Sequence, residues 1–527
     1  MLDILIQNGQ IVDGSGAPRR RANVAVKGDL IVAVGPLEDA ESRVTLDAAS
    51  CVVTPGFVDM HSHADFTLPI CPTADSLVHQ GITTVVTGQC GSSPVPLMAE
   101  TRQRVTASQE SDDCPLPRDQ WSTFGSYLEY LAQTGTSLNV VPLMGQGTIR
   151  AGVMGFAGGA ASEAQMARMQ DEVVRAMDDG AIGISTGLIY PPGSYASTQE
   201  LIALVRPAGE RDGFYFSHIR GYADTLLEAT AEAIRIGRET GAAVQISHFL
   251  AAGRDNWDKV TPTLELIDQA RAEGLDVTAD MYPYVAGSTG LVSLLSEQSQ
   301  EGGKEAILQR LAHKEMRQKL ATDMQSAGHF RFLGWDEILI SASPKQRSYE
   351  GRYVADLAGE AGKSPCDWVF DVLLETELDM SMIVFMTLED NIRLQLHHSA
   401  MMIGTDAAAL ASKGPLSKGK PHPRSYGTYP RILGHYVREL GVLSLEKAVQ
   451  KMSGLPAQKL RWTDRGLVKR GHKADLVILN PDTVSDRATY ESPHQYPTGI
   501  SHVIVNGRLV IQDGVHTQSR PGRVLGC

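Results

Sequence analysis

No apolar run in this sequence is long enough to span a bilayer, and Met1-Leu2-Asp3-Ile4-Leu5 lacks the basic segment and apolar stretch of an export signal. The reading is therefore a cytoplasmic protein with no membrane partner. An excess of basic charge is also missing: 48 Lys and Arg stand against 61 Asp and Glu, a formal charge of -13, which repels nucleic acid and anionic membranes. Six cysteines, Cys51, Cys71, Cys90, Cys114, Cys366 and Cys527, are scattered without close pairing, which argues against a disulfide framework. Internal repeats and low-complexity tracts are absent too. With 527 residues, the chain exceeds one typical core, and at least two structural units are expected. Small-molecule chemistry remains, and a homo-oligomer stays open.

What is present is organised around Pro55-Gly56-Phe57-Val58-Asp59-Met60-His61-Ser62-His63, an apolar run ending in two histidines one residue apart. On an extended strand they leave the same face and can hold one metal ion. Alone, such a pair equally suits a loop. The first 54 residues read as short strands with Asn-Gly and Gly-Asp turns, a small antiparallel sheet. The tail from 467 to 527 repeats that texture in Ala474–Leu479 and His502–Ile511. Neither piece encloses much core alone, so the two ends are expected to complete one sheet domain.

Between them, over 55–466, helix and strand alternate, as in Glu163–Asp179 leading into Ala181–Thr186 and Leu226–Gly241 leading into Ala243–His248. Such units imply parallel strands covered by helices. Strands ending at His63, Gly88, Gly145, Thr186, His218, His248, Asp280 and Asp406 number eight, which suits a closed (β/α)8 barrel. A ninth apolar run, Met382–Met386, belongs to the end of an insertion expected over about 291–378. Asp59, His61, His63, Cys90, His218, His248, Asp280 and Asp406 all lie at or just past the C-terminal ends of these strands, where barrel enzymes assemble their sites. Strands ending in Phe216-Ser217-His218 and Ile246-Ser247-His248 repeat one pattern, and a metal site is expected.

Several motifs occur in order: Gly56–His63, Gly88-Gln89-Cys90-Gly91, Ser185–Pro192, Asp280-Met281-Tyr282-Pro283-Tyr284, Ile403-Gly404-Thr405-Asp406 and His422-Pro423-Arg424. Through them the chain resembles the amidohydrolase superfamily, specifically the D-aminoacylase (N-acyl-D-amino-acid deacylase) family, nearly end to end. The resemblance implies an α/β fold, a TIM barrel joined to a β-sandwich made from both termini, with a small insertion after the strand bearing Tyr282. It implies that Cys90, His218 and His248 hold a tightly bound zinc, and that His61, His63 and Asp406 form a weaker second position. Three ligands with an open fourth position suit catalytic zinc. It implies amide hydrolysis of N-acyl-D-amino acids, with Asp406 as general base and then general acid.

Arg424 matches the family's carboxylate-binding arginine and Tyr282 a tyrosine that assists it; Tyr190 and Ser288, each just past a strand end, are further substrate-binding candidates. Each has a plainer reading beside it. Cys90 suits a free thiol, Asp406 a cap on a following helix, Arg424 a surface residue, Tyr282 a packed aromatic, and Tyr190 and Ser288 ordinary loop positions. One departure matters: many relatives carry a lysine two residues after the second strand-end histidine, whereas this chain reads His248-Phe249-Leu250. Arg254, Lys413, Lys418 and Lys420 are candidate substitutes for that charge. The alternative activity is a cyclic-amide hydrolase of the hydantoinase or dihydroorotase kind. Those relatives commonly use a carboxylated lysine where this chain presents Cys90. The non-enzymatic alternative is a metal-stabilised scaffold, for which a closed four-ligand site is usual.

Overall fold

Eight parallel strands form the centre of the computed structural model, which describes residues 1–37, 40–97 and 116–526; Cys114 and Cys527 lie outside the described residues. We label the strands β1 (Phe57–Asp59), β2 (Ile82–Thr87), β3 (Asn139–Pro142, resumed at Met144–Gly145), β4 (Gly183–Gly187), β5 (Phe214–His218), β6 (Ala243–Ile246), β7 (Val277–Met281) and β8 (Met401–Ile403). Neighbours in sequence pair in parallel, from Val58 opposite Thr84 to Asp280 opposite Met402. The ring closes where the Met60 amide donates to the Ile403 carbonyl at 3.2 Å. Every residue of β2, β4, β5 and β7 is buried, because helices cover the outer face and side chains fill the inside.

The covering helices carry their own start and stop signals. Ser162 caps Glu163–Asp178, accepting from the Gln165 amide while its own amide donates to the Gln165 side chain at 2.9 Å. Met169, Val173, Ala176 and Met177 form its buried stripe, and each large side chain so buried contributes about 1.5–3 kcal/mol. Leu226–Thr240 ends at Gly241, whose φ of 79° is cheap only for glycine.

Both termini build the second domain. A four-stranded sheet runs Leu30–Gly35, Asn23–Lys27, Leu2–Gln7, Ser42–Asp47. It is mixed rather than antiparallel, since Leu2–Gln7 pairs in parallel with Ser42–Asp47 and antiparallel with Asn23–Lys27. A seven-stranded sheet joins the ends through Val52–Pro55 paired with Leu476–Leu479, Val53 opposite Ile478. Ile4, Ile6, Val24, Val53, Ile478 and Ile504 interdigitate between them.

The excursion after β7 has its own core, including Leu294, Leu311, Trp368 and Phe370, and a three-stranded antiparallel sheet of Ala286–Gly290, Ser381–Phe385 and Ile338–Ala342. The sheet reaches beyond the expected 291–378 at both ends, because Ala286–Gly290 and Ser381–Phe385 pair with each other, Ser288 opposite Ile383. Ser288 therefore sits within a strand rather than just past one. No helix of the described residues is long and apolar enough to cross a membrane.

Candidate active site

The strand ends carry the polar side chains inward, and buried hydrogen bonds fix them there. At the end of β1, Asp59 accepts from the Thr405 amide at 2.8 Å and its hydroxyl at 2.6 Å, joining the first and last barrel strands beneath the site. After β6, the His248 amide donates to Asp280 at 2.7 Å, and Gln245 donates to the same carboxylate at 2.7 Å. His61 and His63 lie beyond β1 rather than on it, yet both rings reach one oxygen of Asp406, Nε2 to Oδ1 at 3.6 and 3.2 Å.

Cys90 sits at the junction of two groups of donors. Its Sγ is 3.6 Å from His218 Nδ1, 3.4 Å from His248 Nε2 and 3.3 Å from His61 Nε2. Cys90, His218 and His248 form one group with metal-ligand spacing, and His61, His63, Cys90 and Asp406 the other. The thiol thus belongs to both, which the family pattern alone did not assign. Cys90, His248 and Asp406 have φ of 52°, 32° and 50°, left-handed backbone that costs about 1–3 kcal/mol at each non-glycine residue. Three strained residues at one point mark a functional centre rather than a fold requirement. No helix follows Asp406, which removes the capping alternative. The glycines flanking Cys90 serve the strands: a Cβ on Gly88 would lie 2.0 Å from the Leu143 carbonyl oxygen, and one on Gly91 2.7 Å from the Gly187 amide nitrogen.

The electrostatics suit a divalent cation. Burial holds the Cys90 thiol well above its ordinary pKa, with Asp406 adding to the effect, and pushes His61 and His218 well below theirs and His248 down to about 4. Burial also raises Asp280 to about 8 and Asp59 to about 7. Asp406 goes the other way: burial opposes its charge, but Arg424, with Nη1 at 2.9 Å, and the surrounding imidazoles hold it well below the usual carboxylate range. His218 Nε2 is buried with no hydrogen-bond partner, and His61 Nδ1 lies 3.5 Å from Asp280 without hydrogen-bond geometry. A thiol, neutral imidazoles and one ionised carboxylate around a point are donors that a divalent cation would complete.

The cluster opens into a cavity of about 860 Å³ between the barrel mouth and the insertion. Arg424 lies at its inner end, its guanidinium 4.7 Å over the Tyr282 ring and 3.5 Å from the Ser288 carbonyl. Tyr190 packs edge-on against His218 at 5.0 Å, and its hydroxyl is 3.0 Å from Thr289 Oγ1. Arg424, Tyr282, Tyr190 and Ser288 all line this cavity. Leu250 lines it as well, inside an apolar cluster with Ala252, Tyr282, Phe332 and Met386. Arg254 is exposed and 3.6 Å from Glu337, outside the lining, and Lys413, Lys418 and Lys420 do not line it either.

Sequence reasoning passed over Tyr222, whose ring stands edge-on to His218 at 5.0 Å while its hydroxyl donates to the Ser247 carbonyl at 3.1 Å. It also passed over two arginines, Arg150 buried and Arg220 half-buried, that hold the loop after Tyr190. Arg150 donates to the Pro192 carbonyl and to Glu200, and Arg220 to the carbonyls of Ser194 and Ala196. Strand-end position signals a ligand, but nothing local signals a residue that braces one.

The profile of the amidohydrolase family matches residues 44–511. The D-aminoacylase of Alcaligenes xylosoxydans xylosoxydans is 37% identical over 524 residues, 99% of this chain and 97% of that protein. The N-acyl-D-glutamate deacylase of the same organism is 35% identical over 526 residues, 99% of this chain and 96% of that protein. The crystal structure of the N-acyl-D-glutamate deacylase of Bordetella bronchiseptica, complexed with zinc and a phosphonate that mimics the tetrahedral intermediate, superposes with a TM-score of 0.84 at 34% identity over the whole of both chains. By profile and by these nearly end-to-end matches, the chain belongs to the amidohydrolase family, in its D-aminoacylase group.

Proposed function

We propose that the protein hydrolyses the amide bond of N-acyl-D-amino acids with zinc, releasing a carboxylate and a free D-amino acid. The observation that carries this reading is Cys90 shared by two groups of donors, one with His218 and His248 and one with His61, His63 and Asp406. Cys90, His218 and His248 would hold the tight zinc, a set of three protein ligands that leaves a position open, and His61, His63 and Asp406 the weaker second position. When bound, zinc makes water acidic, from a pKa of about 15.7 to near 7, and polarises the acyl carbonyl.

The chain's own residues do the rest. Asp406, ionised beside Arg424 and hydrogen-bonded to His63, is placed to take a proton from the attacking water on a carboxylate oxygen and to hand it to the departing amine nitrogen. Arg424 offers the fork that grips a substrate carboxylate through parallel hydrogen bonds, with the Tyr282 hydroxyl beside it. Tyr190 and Ser288 line the same cavity. Against the cyclic-amide alternative, Cys90 stands in both donor groups, where those relatives commonly use a carboxylated lysine.

The test is turnover by zinc-loaded protein of matched N-acetyl-D- and N-acetyl-L-amino acids, with hydantoin and dihydroorotate in the panel. Turnover confined to the D-series is the expected outcome. Hydrolysis of the L-series or of the cyclic amides alone would overturn the reading.

A further inference from the structure

Arg424 opens the helix Arg424–Arg431, so its backbone N–H is among the donors that a helix start leaves without an intrahelical partner. Pro423, just before it, has no side-chain oxygen to accept from it. The His422 ring does so instead: Nδ1 takes the Arg424 N–H at 3.0 Å, while Nε2 lies 2.9 Å from the Ala286 carbonyl. An acceptor nitrogen carries no proton and a carbonyl takes one, so the ring is neutral with its hydrogen on Nε2. Burial, with the Arg424 charge adding to it, pushes His422 well below its ordinary pKa, in line with that tautomer. His422 is 2% exposed, and the rings of Tyr284 and Tyr490 stand edge-on to it at 5.2 and 5.3 Å, which leaves the imidazole one orientation.

Ala286 is the first residue of the insertion's strand Ala286–Gly290. The same stretch of chain is held at two further points: Arg424 Nη2 lies 3.5 Å from the Ser288 carbonyl, and Arg431 Nε donates to the Pro283 carbonyl at 2.8 Å. The segment that leads from β7 into the insertion is thus fastened at Pro283, Ala286 and Ser288 by three side chains of residues 422–431. The middle fastening is the ring of His422, and that ring also holds the Arg424 backbone. Arg424 itself is set between Asp406, 2.9 Å from Nη1, and the Tyr282 ring, 4.7 Å below the guanidinium. A guanidinium grips a carboxylate through two parallel hydrogen bonds in one plane, so a small rotation of the turn loses one of them.

We infer that His422 is a positioning residue for the substrate carboxylate: a neutral imidazole that ties the turn bearing Arg424 to the first strand of the insertion and so fixes the plane of the guanidinium fork. The inference rests on the deacylase reading and deepens it, because it assigns a role to a residue that touches neither the donor groups nor the substrate. Both ring nitrogens are committed within the protein, which leaves His422 no part in proton transfer or metal holding.

The test is steady-state kinetics of the zinc-loaded full chain on the N-acetyl-D-amino acid that it turns over fastest. His422→Asn keeps an acceptor oxygen for the Arg424 N–H but is too short to reach Ala286, and His422→Phe keeps a ring and loses both bonds. KM should rise about three- to tenfold in the first and about tenfold or more in the second, with kcat changed about twofold or less and zinc per chain unchanged. A residue that only stabilises the fold would cost the same in any background. In Arg424→Lys protein, where the fork is already lost, His422→Asn should change KM by about twofold or less, the non-additivity of one residue acting through another. If His422→Phe does not fold, His422→Asn decides alone. An unmoved KM in His422→Asn, a loss that falls on kcat or on zinc content, or an equal rise of KM in both backgrounds would overturn this inference while leaving the deacylase reading intact. Wild-type protein silent on every N-acetyl-D-amino acid would overturn the deacylase reading and this inference with it.

Discussion

Asp406→Asn separates proton transfer from metal holding. The amide keeps the shape of the side chain and an acceptor oxygen for His63, 3.2 Å away, but it takes up no proton near neutral pH. Removing a general base that becomes a general acid costs about 10²–10⁴-fold in rate, and at about 1.36 kcal/mol per tenfold the barrier rises by roughly 3–5 kcal/mol. Arg424 also loses the anion that faces it at 2.9 Å. A hydrogen bond to a charged group is worth about 1.5–3 kcal/mol, so the variant should melt at a lower temperature. Cys90, His218 and His248 form a donor group without Asp406, so about one zinc per chain should remain, read by elemental analysis after dialysis. The decisive comparison is kcat of the two zinc-loaded proteins on one N-acetyl-D-amino acid. Undiminished kcat would remove Asp406 from the chemistry. Inactive protein that has also shed its tight zinc would make Asp406 a ligand first, and the proton-carrier account would fall.

Cys90→Ser should weaken the tight zinc by at least about tenfold, since an alcohol does not supply the thiolate on which both donor groups converge; equilibrium dialysis showing wild-type affinity would refute the shared-ligand geometry. Arg424→Lys keeps the charge but loses the fork, and KM should rise about 10- to 100-fold with kcat much less affected; a fall in kcat alone would show that the arginine acts on Asp406 rather than on substrate. The Lys459 ammonium, buried and donating to the carbonyls of Val244 and Asp276 and to the Asp276 carboxylate, is lowered by burial from 10.5 to about 8. Its folded pKa lies below its unfolded one, so between about pH 8 and 10.5 the unfolded chain binds more protons and stability rises with pH; below pH 8 the full cost, roughly 3 kcal/mol, is present. Lys459→Met should flatten that rise in denaturant unfolding measured across this window, and an unchanged slope would show that the ammonium stays charged in the fold.

The barrel and much of its site were legible because both depend on local chemistry. Helix followed by buried strand has its own period and its own punctuation, as Ser162 and Gly241 show, and a histidine at a strand end is visible as such in Phe216-Ser217-His218. The sequence by itself determined which residues stand at the C-terminal ends of the strands, and therefore at which end of the barrel the polar side chains gather. Only the tertiary structure decided how they meet. Cys90 touches both His61 and His248 because barrel closure brings together residues 29 and 158 positions apart, a relation no local spacing encodes. The left-handed backbone at Cys90, His248 and Asp406 is likewise imposed from outside, since none of those residues prefers it. The insertion's limits depended on Ser288 finding Ile383, a pairing set by register across about a hundred residues. Leu250 reads in sequence as a missing charge; packed against Tyr282, Phe332 and Met386, it is a surface, because apolar area counts only once its neighbours are in place.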